Sequence, residues 1–397
     1  MKIILLSNSI EPNSGFGTMT HHHALFLYKK DIDFELLLPK EAQRFNVPYA
    51  DKIKYVLPNL PSSFAIKGLF NNLPKSLMHI KAIQKIFFLW KKIPIDDKRI
   101  SLVHSLIDFP YAFLAYRLAK KLNCPFIFTG HGTYSVAPFS KFPDRQIMMK
   151  LYKKASAIIV ISNFTAKKMK EISGHQRDID VIYNPISEPA SVKDSESQII
   201  SNDDILDNSK VILSIGPLKS RKGGDILIQA LPEIVNKIPE AQLVIVGNGD
   251  KDKYYQLAES LGVRKNLLIL QNIPAGELIY LLKRCSVFAL TSRYVNHNFE
   301  GYGLVYLEAG LYKKPVVAAD SGGVSDAVHH QETGLLVPED NIEATADALV
   351  KILSNEELAQ KLGEGNYRLA KERNWDDYID QVIKIYRSVA KDQGEHA

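Results

Sequence analysis

The stretch "VILSIGPLKSRKGGDILIQALPEIV", Val211 to Val235, decides how the chain folds. Val211–Ser214 is a short apolar, β-branched run of the kind that forms a strand buried on both faces. A turn rich in glycine and lysine follows, Gly216–Gly224. From Gly224 to Val235 apolar residues then recur at helical spacing. Strand, glycine turn and helix in this order make one unit of a parallel sheet.

The same unit repeats in both directions. Downstream, strands are expected at Gln242–Val246, Leu267–Leu270, Val287–Leu290 and Val316–Ala319, with helices over Lys251–Leu261, Ala275–Lys283 and Leu304–Tyr312 between them. Upstream, strands are expected at Ile3–Leu6, Phe34–Leu38, Leu102–Ser105, Phe126–Thr129, Ala157–Ile161 and Asp180–Ile182. Helices are expected from about Thr18 to Lys30 and over Pro110–Leu122 and Asn163–Ser173. The alternation lapses from Ser187 to Ser209, where serines and acidic residues outnumber large apolar side chains. The expected fold class is therefore α/β in two domains, 1–190 and 209–375, joined by a linker at 191–208. After Trp375 the residues Tyr378, Ile379, Val382, Ile383, Ile385 and Tyr386 mark one face of a last helix, 376–397.

Bulk composition agrees. The chain has 397 residues, enough for two cores; 46% are hydrophobic and 24% charged, as in an ordinary globular protein. The two cysteines, Cys124 and Cys285, have no ligand-like spacing, which argues against a disulfide scaffold or a zinc site. Neither a secretion signal nor a run of about 20 apolar residues is read, so a cytoplasmic or peripheral location is expected. Residues 1–190 hold 27 Lys/Arg against 14 Asp/Glu, and the rest hold 23 against 30, within a total of +6. A basic half beside an acidic half suits different partners. The basic half has scattered lysines and no recognisable nucleic-acid motif, so no nucleic-acid partner is expected.

Four segments could carry chemistry. Gly15 and Gly17, in "NSGFGT", form a glycine turn between a first strand and a helix, where a ligand can approach backbone amides. A plain tight turn fits the same residues. His21-His22-His23 points in three directions on a helix and makes a poor metal site. His131, in "TGHGT", stands at a strand's C-terminal end, where open parallel sheets bind ligands. Gly216, Arg221 and Lys222 belong to a cationic loop at a helix N-terminus, suited to phosphate, although it lacks the Walker pattern. In "EGYGLVYLEAG", Gly301-Tyr302-Gly303 is the expected loop that opens a helix at Leu304, whose first N–H groups favour an anion. Glu300 precedes that loop. Glu308 lies about one turn, roughly 6 Å, further on, in an otherwise apolar run. A carboxylate there needs donors, which paired ribose hydroxyls would supply. Residues Phe64–Ile93 mix aromatic and apolar side chains with lysines and could dock on an anionic bilayer or form a core helix.

"EGYGLVYLEAG" resembles the paired-glutamate segment of the family 4 retaining glycosyltransferases. "SGFGT", "FTGHGTYS", "IIVISNFTAKKM", "VIYNPIS", "ILSIGPLKSRKGGDILIQAL", "LVIVGNGD" and "SGGVSDAV" resemble further motifs of that family, in the same order over more than 300 residues. The resemblance implies a GT-B fold: two Rossmann-like domains facing across a cleft, with the C-terminal helix crossing back to the first domain. It implies transfer of a hexose from a nucleotide-diphosphate sugar with retained configuration, without cofactor or obligatory metal. By the same resemblance Glu308 holds the ribose, Glu300 contacts the donor sugar, and Lys222 binds the diphosphate with the amides of Gly303 and Leu304. His131 lies beside the reacting centre, and Gly15 and Gly17 let the first domain approach the diphosphate. Pro217 departs from the family, which often has an arginine there; Lys219 or Arg221 is the expected substitute. The longer string around Glu300–Val328 is most similar to bacterial mannosyltransferases that use GDP-mannose, which favours that donor over UDP-glucose. The implied acceptor is a glycan or lipid-linked molecule of cell-surface polysaccharide or glycolipid synthesis, met on the inner face of the membrane. A nucleotide-sugar epimerase of the same fold is the alternative.

Overall fold

The computed structural model describes residues 1–12, 15–60, 91, 93–95, 99–187 and 209–391. The expected linker 191–208 and residues 64–90 of the basic apolar segment lie outside the described residues. The chain forms two compact units: Met1–Tyr183 with Trp375–Ala397, and Asn184–Asn374.

The first unit holds strands β1 (Lys2–Leu6), β2 (Asp33–Pro39), β3 (Ile53–Leu57), β4 (Ile100–Ser105), β5 (Phe126–Gly130), β6 (Ala157–Val160) and β7 (Asp180–Val181). They form one sheet in the order β3-β2-β1-β4-β5-β6-β7, every pair parallel. Its described helices are α1 (Gly15–Lys29), α2 (Tyr111–Leu122), α3 (Thr133–Val136), α4 (Asp144–Lys154) and α5 (Asn163–Ser173). The second unit repeats the scheme with β8 (Lys210–Ile215), β9 (Ala241–Val246), β10 (Leu267–Leu270), β11 (Val287–Leu290), β12 (Val316–Ala319) and β13 (Gly334–Val337), ordered β10-β9-β8-β11-β12-β13 and again parallel. Its helices are α6 (Gly224–Lys237), α7 (Lys251–Ser260), α8 (Ala275–Arg284), α9 (Leu304–Leu311), α10 (Ile342–Leu353) and α11 (Glu356–Glu372).

Parallel strands need crossover helices, so both sheet faces are covered and the central strands are mainly apolar. Ile3–Leu6 and Leu36–Leu38 are accordingly buried. In each sheet the strand order reverses between the first and fourth strands, β1 and β4 or β8 and β11. That reversal opens a crevice at the strands' carboxyl ends, where such sheets bind ligands.

The last helix, α12 (Trp375–Lys391), belongs to the first unit although it follows the second in sequence. Trp375, Tyr378, Ile379, Val382, Ile383, Tyr386 and Val389 join the core cluster of Ile3, Leu5, Phe34 and Leu36. Two of the three histidines of α1, His22 and His23, help seat it, while His21 holds Tyr49. His22 stacks on Trp375, with ring centroids 4.9 Å apart. His23 Nε2 is 3.1 Å from the Tyr386 hydroxyl, and His21 Nδ1 is 2.7 Å from that of Tyr49. Burial lowers the pKa of His23 to about 3, so it packs as a neutral ring.

Two expectations change. Helix α1 starts at Gly15 rather than Thr18, which puts Gly15 and Gly17 in its first turn instead of a loop before it. The sequence reading also assigned nothing to β3, β13, α3, α4, α10 and α11. Helices α10 and α11 are opened by Asn341 and Asn355, whose side chains each accept an N–H three residues on at 2.9 Å.

Candidate functional site

In the second unit, the loop after β8 and the loop after β11 meet at the point of strand reversal. The first loop ends in a single turn of 3-10 helix, Ser220–Lys222, closed by Gly223 at φ 69°. A Cβ on Gly223 would lie 1.9 Å from the Thr291 carbonyl oxygen, so only glycine lets the loop rest on the end of β11. The Thr291 hydroxyl donates to the Gly223 carbonyl at 2.7 Å and locks that contact.

This seating places the Lys222 ammonium 2.5 Å from Glu300 Oε2, with Arg221 3.6 Å from the same oxygen. The Ser292 hydroxyl donates to it at 3.4 Å. Arg221 is the second cation on this carboxylate, while Lys219 is exposed. Gly216 lies against the aliphatic stem of Lys222, its Cβ position 3.5 Å from Cδ. Arg293, which the sequence reading did not single out, braces the loop from below. Its N–H donates to the Arg221 carbonyl at 2.9 Å, and its guanidinium reaches both oxygens of Asp225 at 3.1 Å.

Glu300 is also fixed through its backbone. Its carbonyl accepts the Gly323 N–H at 2.8 Å, and a Cβ on Gly322 would come within 2.5 Å of that oxygen. Gly301 and the buried Tyr302 follow, and the Tyr302 hydroxyl accepts from Arg373 Nε at 3.1 Å. Gly303, at φ 91°, then turns the chain into α9. A Cβ there would strike the Tyr306 ring at 2.4 Å. That ring is fully buried and its hydroxyl donates to the Leu290 carbonyl at 3.1 Å, pinning the start of α9 to the end of β11. The far end of α9 is held by Asn366, whose amide donates to the Tyr306 and Lys314 carbonyls at 3.0 Å each.

In the first turn of α9 the Tyr306 N–H is taken by the Gly303 carbonyl at 3.0 Å, while the N–H groups of Leu304 and Val305 precede the helix's own acceptors and carry partial positive charge. Glu308 stands one turn along the same helix. It keeps a solvent-facing edge, yet burial raises its carboxyl pKa. Among the described residues no group hydrogen-bonds or ion-pairs with it. The second unit therefore brings together two cations, a carboxylate they neutralise, a helix N-terminus and an unpartnered carboxylate. That set suits a phosphate joined to a group with paired hydroxyls.

In the first unit, His131 follows β5 directly. The sequence placed it at the strand's carboxyl end, open to a crevice; there it is half-buried, its ring held from two sides. Its ring meets Phe16 edge-on at 5.1 Å, and Nε2 lies 2.8 Å from the Leu106 carbonyl. A carbonyl accepts only, so Nε2 carries the proton and Nδ1 keeps a lone pair. Burial lowers the pKa to about 4, leaving the ring neutral. Gly15 opens α1 with free space where a Cβ would point. Gly17 is buried in the same turn.

Sequence reasoning also missed Asp108, just beyond β4. It is 2% exposed, and Oδ2 accepts the His131 N–H at 3.1 Å and the Ser135 hydroxyl at 2.8 Å. Burial pushes its carboxyl up to about 7 against the pull of those two bonds. Its one sequence signal was its place just after a strand, shared by many loop residues.

Among the described residues no helix is long and apolar enough to cross a membrane, and no three His, Cys, Asp or Glu side chains are grouped to hold a metal ion.

Comparison with known proteins fits this architecture. The model described as "Glycosyltransferase Family 4" matches residues 14–188, and "Glycosyl transferases group 1" matches residues 196–369. An uncharacterized glycosyltransferase of Methanocaldococcus jannaschii is 26% identical over 390 residues, covering 98% of both chains. A GDP-mannose-dependent alpha-(1-6)-phosphatidylinositol monomannoside mannosyltransferase of Mycolicibacterium smegmatis is 28% identical over 235 residues, 58% of this chain and 61% of that one. The solved structure of Anabaena HepE in complex with UDP superposes with a TM-score of 0.71 at 20% identity, covering 98% of this chain and 100% of that one. With the two domain matches lying in succession on two Rossmann-like units, the chain belongs to the GT-B glycosyltransferases that join a family 4 first domain to a group 1 second domain.

Proposed function

We propose that this glycosyltransferase moves a hexose, mannose from GDP-mannose in the first instance, to a lipid-linked glycan, with retention and without a metal. The observation that carries the reading is the Lys222–Glu300–Arg221 cluster beside the α9 N-terminus, with Glu308 unpartnered one turn below. Lys222 and Arg221 take the diphosphate, Glu300 the sugar hydroxyls, and Glu308 the ribose. His131 accepts a hydrogen bond from a substrate hydroxyl at Nδ1. The bond from the anomeric carbon to the phosphate breaks as the acceptor oxygen bonds on the same face. The departing phosphate oxygen takes the acceptor proton. The charge growing on that phosphate is met by fixed cations and helix N–H groups, which need no reorganisation.

A thermal-shift series against GDP, UDP and ADP tests the donor. GDP is expected to raise the unfolding temperature most, since a ligand that binds only the folded state stabilises it. Glu308→Ala is expected to weaken nucleotide binding about 10- to 100-fold, the worth of one charge-assisted hydrogen bond at about 1.5–3 kcal/mol. Glu300→Ala should chiefly lower turnover. A flat response to all three nucleotides overturns the reading. Nucleotide release that needs no acceptor favours the epimerase alternative instead.

The lipid-linked acceptor draws support from the surface of α4. Lys141, Arg145, Lys150, Lys153 and Lys154 are exposed there, while the only acid of that helix, Asp144, is buried. Phe142 beside them is 76% exposed. A shallow groove of about 360 Å³ runs between Arg145, Met149 and Lys154. Each basic residue near an anionic bilayer is worth about 1 kcal/mol. Replacing Lys150, Lys153 and Lys154 together by Ala is therefore expected to weaken co-sedimentation with phosphatidylglycerol vesicles about 100-fold. Unchanged sedimentation removes the membrane from the reading.

A further inference from the structure

We propose that Asp108 is a positioning residue for sugar transfer, holding His131 by its main chain while the neighbouring Leu106 carbonyl holds it by its ring. The inference rests on the reading that His131 meets the substrate.

Both grips come from the three residues that follow β4. Leu106 accepts from the imidazole at Nε2, 2.8 Å away, and Asp108 Oδ2 accepts from the His131 N–H at 3.1 Å. A ring fixed at one nitrogen can still swing with its backbone; a backbone fixed at its N–H can still rotate its ring. Together the two bonds leave Nδ1 one direction. Asp108 holds a third point, the Ser135 hydroxyl, which is fully buried in the short helix after the His131 turn. Gly130 lets that serine in, because a Cβ there would stand 2.5 Å from Ser135 Oγ. The Asp108 carbonyl accepts the Ala112 N–H at 3.1 Å and ties the arrangement to α2.

Stability alone does not account for this residue. The described residues place no cation against the Asp108 carboxylate, and burying a carboxylate on neutral donors is costly. An asparagine offers an oxygen acceptor without that cost. Residues that oppose folding in this way are kept where function needs them. A misplacement of about 1 Å at such a site is worth about 100-fold in rate.

The test uses the full chain with Asp108→Ala, Asp108→Asn, Ser135→Ala, His131→Ala and the Asp108→Ala/His131→Ala double variant. Three quantities are read: kcat and KM for transfer, the nucleotide dissociation constant, and the His131 ring nitrogen shifts by NMR. Asp108→Ala is expected to lower kcat about 10- to 100-fold, leave nucleotide affinity within twofold, and move the His131 ring signals. Asp108→Asn should recover most of the loss in both. The double variant should be no slower than His131→Ala, since residues in one chain of contact do not add. An unmoved ring with unchanged kcat in Asp108→Ala overturns the proposal, as does full additivity in the double variant. If Asp108→Ala fails to fold, Ser135→Ala decides, with a smaller change expected in the same direction and no change overturning the proposal. Failure of the transfer reading looks different: His131→Ala keeps full activity while the ring signals of Asp108→Ala still move.

Discussion

Lys222→Met lowers kcat about 10²- to 10³-fold and weakens nucleotide binding less than that. The charge on the departing diphosphate grows as its bond to the sugar breaks, so a fixed ammonium gains more in the transition state than in the bound donor. Loss of a single preorganised donor in such a site costs about 10²–10³ in rate. The variant also strips Glu300 of its nearest cation, leaving Arg221 at 3.6 Å and the Ser292 hydroxyl at 3.4 Å on the same oxygen. Lys222→Arg does not restore the rate. A planar guanidinium cannot replace a compact ammonium seated 2.5 Å from Glu300 and against Gly216. Steady-state nucleotide release with a saturating acceptor measures the effect, and a kcat within threefold of the parent removes Lys222 from the reaction.

Gly223→Ala has the second large effect. The substitution meets two penalties at once: a left-handed backbone at φ 69°, and a Cβ placed 1.9 Å from the Thr291 carbonyl. The first costs about 1–2 kcal/mol; the second forces the loop off β11 and carries Lys222 with it. Gly262 separates the two. It has φ 72° with nothing within 4 Å of its Cβ position. Gly262→Ala therefore loses about 1–2 kcal/mol of stability and keeps its activity, whereas Gly223→Ala loses more stability and nearly all transfer. Chemical denaturation and the same nucleotide-release assay read both; equal behaviour of the two variants denies the loop its role.

Much of this was legible before any coordinates. Strand and helix periodicity identified both parallel sheets, because residues buried on both faces leave an unmistakable run, as at Ile3–Leu6 and Val211–Ser214. The site was legible where chemistry breaks a pattern: a carboxylate inside the apolar Leu304–Ala309, or cations packed into a glycine turn at Arg221 and Lys222. Other parts were hidden for physical reasons. The Lys222–Glu300 pair joins residues 78 positions apart, and no local rule relates them. Arg293 and Asp108 each reach a main-chain group of a residue distant in sequence, and main-chain groups are common to every residue, so sequence offers little sign of either. The start of α1 was misplaced because glycine reads as a turn, yet it is tolerated in a first helical turn, where fewer hydrogen bonds are at stake.

The seating of α12 has a consequence for how the protein is made. Residues that complete the first core, from Trp375 to Val389, are the last of the described chain to be synthesised. The first unit therefore leaves the ribosome with an open apolar trough, while the whole second unit, complete in sequence by Asn374, can close its own core before it. The order of maturation is the reverse of the order of synthesis. A chain cut short anywhere in α12 carries a complete second unit and an unfinished first one, whose uncovered apolar residues expose it to chaperones and proteases. Only a chain that extends through α12 can present both units folded at once.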